Sequence, residues 1–166
     1  VDTARGVGLD YSAFVVFDVT EMPFKVVCKF KSNEITPMMY PTIINKMGTH
    51  YNNAYVLVEV NDIGQQVADI LNNEVEYENL LSTSWKGRAG QIVGGGFGTQ
   101  NNMGVRTTAQ LKRLGCSNLK SLVEEEKFII QDFDIINELS TFIAKKGSYE
   151  AEEGTHDDLA MTLVIF

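Results

Sequence analysis

The chain closes on THDDLAMTLVIF, where Asp157 and Asp158 stand directly before eight residues of which only Thr162 is polar. A run that apolar belongs in an interior, and ionised carboxylates are costly there unless something compensates them. Two other acids share the peculiarity. Asp2 lies in VDTARG and Glu59 in VLVEVND, each within an apolar strand-like setting that disfavours Asp and Glu. Carboxylates gathered in a half-buried place repel one another, and a divalent cation relieves the repulsion. All-oxygen ligation suits Mg2+ or Mn2+, and two such ions about 3.5–4 Å apart activate a water and stabilise a leaving alkoxide. The chemistry open to these residues is metal-assisted hydrolysis.

Particular elements must bring them together. SAFVVFDV (12–19) and KVVCKFK (25–31) are β-rich runs joined by TEMPF, and with the segment around Asp2 they predict a three-stranded antiparallel meander. A short helix is predicted after Pro41, with Ile43, Ile44 and Met47 on one face. NAYVLVEV (53–60) reads as a buried strand. NDIGQQVADILNN reads as a helix capped by Asn61 or Asp62, with Ile63, Val67, Ile70 and Leu71 inward. ENLLSTS is a short strand. TTAQLKRLG and SNLKSLVEE are two short helices, capped by Thr107 or Thr108 and by Ser117, and KFIIQD is an edge strand or extended piece. DFDIINELSTFIAKK is an amphipathic helix with Phe133, Ile136, Leu139 and Ile143 on its face, and Thr155 caps the last helix. The order β-β-β-α-β-α-β followed by helices fits a mixed α/β sheet with helices on both faces, the order of the ribonuclease H-like fold. There the Asp2 and Glu59 strands are neighbours and the final helix crosses beside them. If Asp157 faces the sheet, Ala160, Met161 and Val164 share its face and Asp158 points about 100° away. Asp157 is therefore the favoured ligand and Asp158 the alternate.

At 166 residues, with 44% hydrophobic and 22% charged residues, the chain is one globular domain of ordinary size. No apolar stretch approaches the roughly 18 residues of a membrane span, and VDTARGVGLD shows no signal peptide. Cys28 and Cys116 lie far apart and read as reduced thiols. Val1 and the uncapped Phe166 read as the ends of a piece of a longer protein. The net charge of −8 is unevenly spread. From Asn79 to Val123 no Asp or Glu occurs, while Lys86, Arg88, Arg106, Lys112, Arg113 and Lys120 do; the other 121 residues carry −14. Residues 87–104 hold seven of the 14 glycines and read as a long functional loop. A local anion-binding surface on an acidic body is the pattern, with a solvated basic face as the plain alternative.

The stretches VDTARGVGLDYSAFVVFDVT, AYVLVEVNDIGQQVADIL, WKGRAGQ and GTHDDLAMTLVIF together resemble the C-terminal nuclease domain of the large terminase subunit of T-even-type tailed bacteriophages. The resemblance runs over nearly the whole chain. It implies a largely sequence-nonspecific endonuclease, dependent on Mg2+ or Mn2+, that cuts concatemeric viral double-stranded DNA during head filling and leaves a 5′-phosphate and a 3′-hydroxyl. It also implies an N-terminal ATPase in the same full-length chain, a portal and a small terminase subunit as partners, and action in the host cytoplasm without a membrane. Its acidic triad falls on Asp2, Glu59 and the HDD pair, the positions the residues had already singled out. No GxxxxGK[ST] occurs, so this stretch is not expected to hydrolyse ATP.

Around the acids, Arg5 and Asp10 sit within the first motif, where Arg5 is suited to pair with carboxylates or hold a phosphate. His156 is suited to orient a water or a phosphate oxygen, and His50 is a surface or helix-end residue. Lys86, Arg88 and Arg106 are the candidates for DNA backbone contact; Trp85 is a core residue or a stacking platform. Other readings share these features: a resolvase- or integrase-like nuclease on the same fold, or a non-catalytic module docking DNA or portal.

Overall fold

The computed structural model of the protein describes residues 1–8, 10–84, 101–145 and 147–166. In chain order the elements are β1 (Ser12–Asp18), β2 (Phe24–Ser32), α1 (Tyr40–His50), α2 (Gly64–Asn73), β3 (Ser82–Ser84), β4 (Asn101–Met103), α3 (Ala109–Glu124), β5 (Phe128–Ile129), α4 (Phe133–Ser140), β6 (Phe142–Lys145), β7 (Ser148–Ala151) and α5 (Asp158–Val164). They form a mixed α/β architecture of antiparallel and parallel pairings with helices. The chain divides into two compact units. One comprises Val1, Thr3–Tyr11 and Asn33–Thr107, the other Asp2, Ser12–Ser32 and Thr108–Phe166.

The second of these units holds the meander. β1 and β2 pair antiparallel from Ser12↔Ser32 to Asp18↔Lys25, with an irregularity between Val16 and Phe17. The third predicted strand is reduced to a bridge: Asp2 and Ala13 exchange backbone hydrogen bonds of 2.8 and 3.0 Å. β5 adds to β2 in parallel. The apolar tail forms α5, with Leu159 to Val164 buried all round, as the sequence reading expected. α5 packs on β1, α3 and α4, around a core of Ala13, Leu119, Phe128, Ile135, Leu159 and Leu163. Phe166 stacks on Phe17 and Phe128.

Two helix expectations in this unit are corrected. The two short helices after Thr107 are one, α3, capped by the Thr108 hydroxyl, which accepts from the Leu111 amide; Ser117 lies inside it. Gly115, the last residue of the first of the two predicted helices, lies inside α3. It is there because a Cβ would stand 2.0 Å from the Val164 carbonyl oxygen, so it allows close approach and the helix runs on. The long helix predicted from Asp132 stops at Ser140, and its last residues become the hairpin β6–β7, paired from Phe142↔Ala151 to Lys145↔Ser148. Its expected apolar face is also displaced. Phe133 and Ile136 are exposed, while Ile135 and Glu138 are buried.

In the first unit, Pro41 opens α1, which buries Tyr40 and Ile44 and packs on α2; Ile43 and Met47 are half-buried. α2 turns Val67, Ala68, Ile70 and Leu71 inward, close to expectation. Neither Asn61 nor Asp62 caps it; the N-cap is Ile63, with no side-chain bond. The extended segment before it is held by bridges, Val56↔Leu80 and Glu59↔Val105, both parallel. Val58 is fully buried and Val56 and Val60 nearly so. Val1 joins the same ladder: its nitrogen donates to the Leu57 oxygen at 2.8 Å and its oxygen accepts from the Glu59 amide at 2.9 Å. Val1 therefore lies alongside the segment from Leu57 to Glu59. β3 and β4 pair antiparallel.

Candidate active site

The backbone of Glu59 is fixed on both sides, by Val1 and by the Val105 bridge. Glu59 is 8% exposed. Asn61 donates from Nδ2 to Glu59 Oε1 at 2.9 Å and to the Thr107 carbonyl at 3.0 Å. Asn61 thus orients the acid, a role that replaces the cap expected of it. Behind the strand, a Cβ on Gly64 would lie 1.8 Å from the Glu59 carbonyl oxygen, so α2 starts as close to this strand as a bare backbone allows.

Asp62 takes the left-handed backbone conformation, φ 48°, and grips Arg5. Arg5 Nε and Nη2 donate to its two carboxylate oxygens at 3.0 and 2.8 Å. The hydrogen bond and the positive charge hold Asp62 below the ordinary carboxylate range and raise Arg5. The pair is exposed, so its worth is geometric more than energetic. Arg106 is exposed on the segment after β4. Asp10 is exposed, and His50 is at the end of α1, edge-on to Tyr51. Trp85, Lys86 and Arg88 lie outside the described residues.

In the other unit, Asp2 is half-buried on its bridge to Ala13. Asp157 and Asp158 sit at the mouth of α5. Asp157 lies 3.6 Å from Lys112 Nζ, and Lys112 also stands over the Phe142 ring at 5.3 Å. Asp158 is the more deeply buried of the two. Its Oδ2 is 3.3 Å from Lys31 Nζ and 3.8 Å from His156 Nδ1. Thr155 does not cap α5; its hydroxyl donates to the Glu152 carbonyl at 2.8 Å.

Sequence reasoning missed Glu138. It is 5% exposed on α4, pairs with Lys31 at 2.5 Å, and accepts from the Leu159 and Ala160 amides of α5. A signal existed: Ile135, Glu138 and Leu139 follow i, i+3, i+4 spacing, which puts a carboxylate on an inward helical face.

Glu59, Asp2, Asp157 and Asp158 offer hard carboxylate oxygens on firmly held backbone, which is the donor chemistry of a Mg2+ centre. Within either unit, among the described residues, no three His, Cys, Asp or Glu side chains gather at metal-binding distance. Glu59 accepts from Asn61, Asp157 faces Lys112 and Asp158 faces Lys31. Cys28 and Cys116 are free thiols, and burial raises the pKa of Cys116.

The mixed sheet with its flanking helices defines a ribonuclease H-like α/β domain. The family model of the terminase RNaseH-like domain matches residues 1–165, and the chain belongs to that family. Among solved structures it is similar to the magnesium-bound large terminase nuclease of the thermophilic phage G20c, with a TM-score of 0.68, 20% identity, and coverage of 94% of this chain and 72% of that one. The cobalt-bound form of that nuclease gives 0.69 at 20% identity over 95% and 74%. A further structure of it gives 0.65 at 20% identity over 99% and 76%.

Proposed function

We propose that the chain is the nuclease domain of a phage large terminase, an endodeoxyribonuclease that cuts double-stranded viral DNA during packaging without strong sequence preference. The observation that carries this reading is a terminase-family domain in which the acids of the quoted motifs stand on fixed backbone: Asp2 on its bridge, Glu59 on a paired strand, Asp157 and Asp158 at the mouth of a buried helix. Under this reading Asp2, Glu59 and Asp157, with Asp158 as alternate, hold Mg2+ or Mn2+. Held there, such ions would supply Lewis acidity toward water and the scissile phosphodiester. The related nuclease of phage G20c has been seen with magnesium and with cobalt, which supports a divalent-metal dependence here.

The chain's own residues do the rest. Asn61 holds the Glu59 carboxylate in one orientation. Lys112 and Lys31 offset the charge of Asp157 and Asp158. His156, close to half exposed beside Asp158, is placed to orient a water or a phosphate oxygen. Arg106, with Lys86 and Arg88, holds the DNA backbone, and Arg5 becomes a phosphate ligand when it leaves Asp62. The ATPase domain of the full-length protein, the portal and the small terminase subunit are the partners this role requires, in the host cytoplasm. The quoted stretches support a T-even-type affiliation.

The test is cleavage of supercoiled plasmid at low salt with Mg2+, Mn2+ or EDTA, wild type beside Asp2→Asn and Glu59→Gln. The expected result is metal-dependent nicking and linearisation, lost by a factor of about 100 or more in both variants while their circular dichroism is unchanged. Retained cleavage in either variant removes that residue from the metal set. Preference for a four-way junction over linear duplex would favour a resolvase-like nuclease instead.

A further inference from the structure

An aspartate that precedes a helix ordinarily turns its carboxylate back onto the first free amides. α5 departs from that habit. Asp157 occupies the N-cap position and its side chain makes no capping bond. The amides of Leu159 and Ala160 go instead to Oε2 of Glu138, at 2.7 and 3.0 Å, from a residue more than twenty positions earlier in the chain. A carboxylate as buried as Glu138 needs a counter-charge, and Lys31 supplies it through Oε1. Lys31 reaches Asp158 as well, at 3.3 Å. Burial alone would lower the pKa of Lys31, but the hydrogen bond and charge of Glu138, with Asp158, outweigh it and the net shift is upward.

The consequence concerns the neighbouring aspartate. Had Asp157 capped its own helix, its oxygens would be turned onto backbone amides. With Glu138 on those amides, the Asp157 carboxylate makes no capping bond and its Oδ2 lies 3.6 Å from Lys112 Nζ. We propose that Glu138, with Lys31 as its counter-ion, is a positioning residue for cleavage: it caps α5 in place of Asp157 and so leaves the Asp157 carboxylate available to a divalent cation. This rests on the nuclease reading above and adds two residues to it that touch neither DNA nor metal.

The experiment uses the full 166-residue chain with Glu138→Ala, Glu138→Gln, Glu138→Asp and Lys31→Met. It reads the Mn2+ dissociation constant by calorimetry, the Mn2+ concentration for half-maximal plasmid cleavage, and thermal melting. Outer partners of metal ligands typically govern affinity by about 10- to 100-fold. Glu138→Ala should weaken Mn2+ binding by that factor and shift the half-maximal Mn2+ concentration equally. Glu138→Gln keeps an oxygen for the two amides and should recover most of the affinity. Glu138→Asp, one methylene short, should recover less. Lys31→Met should weaken Mn2+ binding in the same direction. A Glu138→Ala protein that melts lower but binds Mn2+ like wild type would show a packing role only and overturn the proposal. If Glu138→Ala does not fold, the order of Gln above Asp decides, and equal or inverted affinities overturn it. Wild type that neither binds Mn2+ nor cleaves would sink the nuclease reading and this proposal together. Wild type that does both, beside Glu138 variants that match it, would sink this proposal alone.

Discussion

Asp157 and Asp158 are adjacent in sequence and differ in what surrounds them, so substituting each has a different signature. Asp158 is buried 3.3 Å from Lys31, which also holds Glu138, so Asp158→Asn removes one charged partner from that buried group; we expect a loss of about 1–3 kcal/mol in urea denaturation. Asp157 faces Lys112 from a more open position, and Asp157→Asn should cost less than about 1 kcal/mol. If Asp157 is a ligand, that variant loses cleavage at nearly full stability; equal and mild activity losses in both would remove the pair from the metal set. A second residue-level prediction concerns pH. Burial of Asp132 raises its pKa, but the hydrogen bond from Lys29, the amides of Ile135 and Asp134, and the Lys29 charge together lower it on balance. A folded pKa below the unfolded one gives stability that is complete above the ordinary Asp value, about 3.9, and is lost as pH falls through the folded value. Stability measured from pH 6 downward should therefore fall in that window, and Asp132→Asn should flatten the fall. An identical acid limb in the variant would exclude Asp132 as its source.

At the scale of elements, close approach explains what propensity does not. Gly115→Ala should gain up to about 1 kcal/mol of helix propensity, yet its Cβ meets the Val164 carbonyl oxygen at 2.0 Å. Overpacking of that kind costs about 1–3 kcal/mol, so the net change in chemical denaturation should be destabilising; a stabilised variant would mean that α3 and α5 part without cost. Gly64→Ala presses in the same way on the Glu59 carbonyl oxygen. Under the nuclease reading it should lower cleavage along with stability, because it displaces the strand that carries Glu59. The end of α4 follows from similar local forces. Thr141, Phe142 and Ile143 favour extended backbone, and Gly147, at φ +79°, allows the tight return to β7.

For the whole molecule the governing feature is charge. An acidic chain with one acid-free basic district should bind DNA weakly and with strong salt dependence. Among the described residues Arg106 is exposed in that district. Arg106→Glu should weaken binding to linear duplex across all sequences and reduce the slope of log affinity against log salt by about one. An unchanged slope would remove Arg106 from the interface. Among the described residues no helix is long and apolar enough to cross a membrane.

The sequence alone determined the elements whose signal is local. β1, β2, α1, α2 and α5 follow from alternation, helical periodicity and a proline at a helix start. It also singled out Asp2, Glu59, Asp157 and Asp158, because an acid in an apolar run stands out without knowledge of what lies opposite. The tertiary structure alone decided the partners. Asn61 turns to Glu59 and Thr107 and does not cap α2; Gly115 admits a neighbouring carbonyl and does not break α3. Lys31 meets Glu138 across a separation of 107 residues, and Glu138 caps a helix to which it does not belong. Periodicity carries which face of an element is apolar. It carries nothing about which distant side chain will meet a buried charge, since that depends on how the elements are connected and packed, and the cost of leaving such a charge unmet appears only once they are.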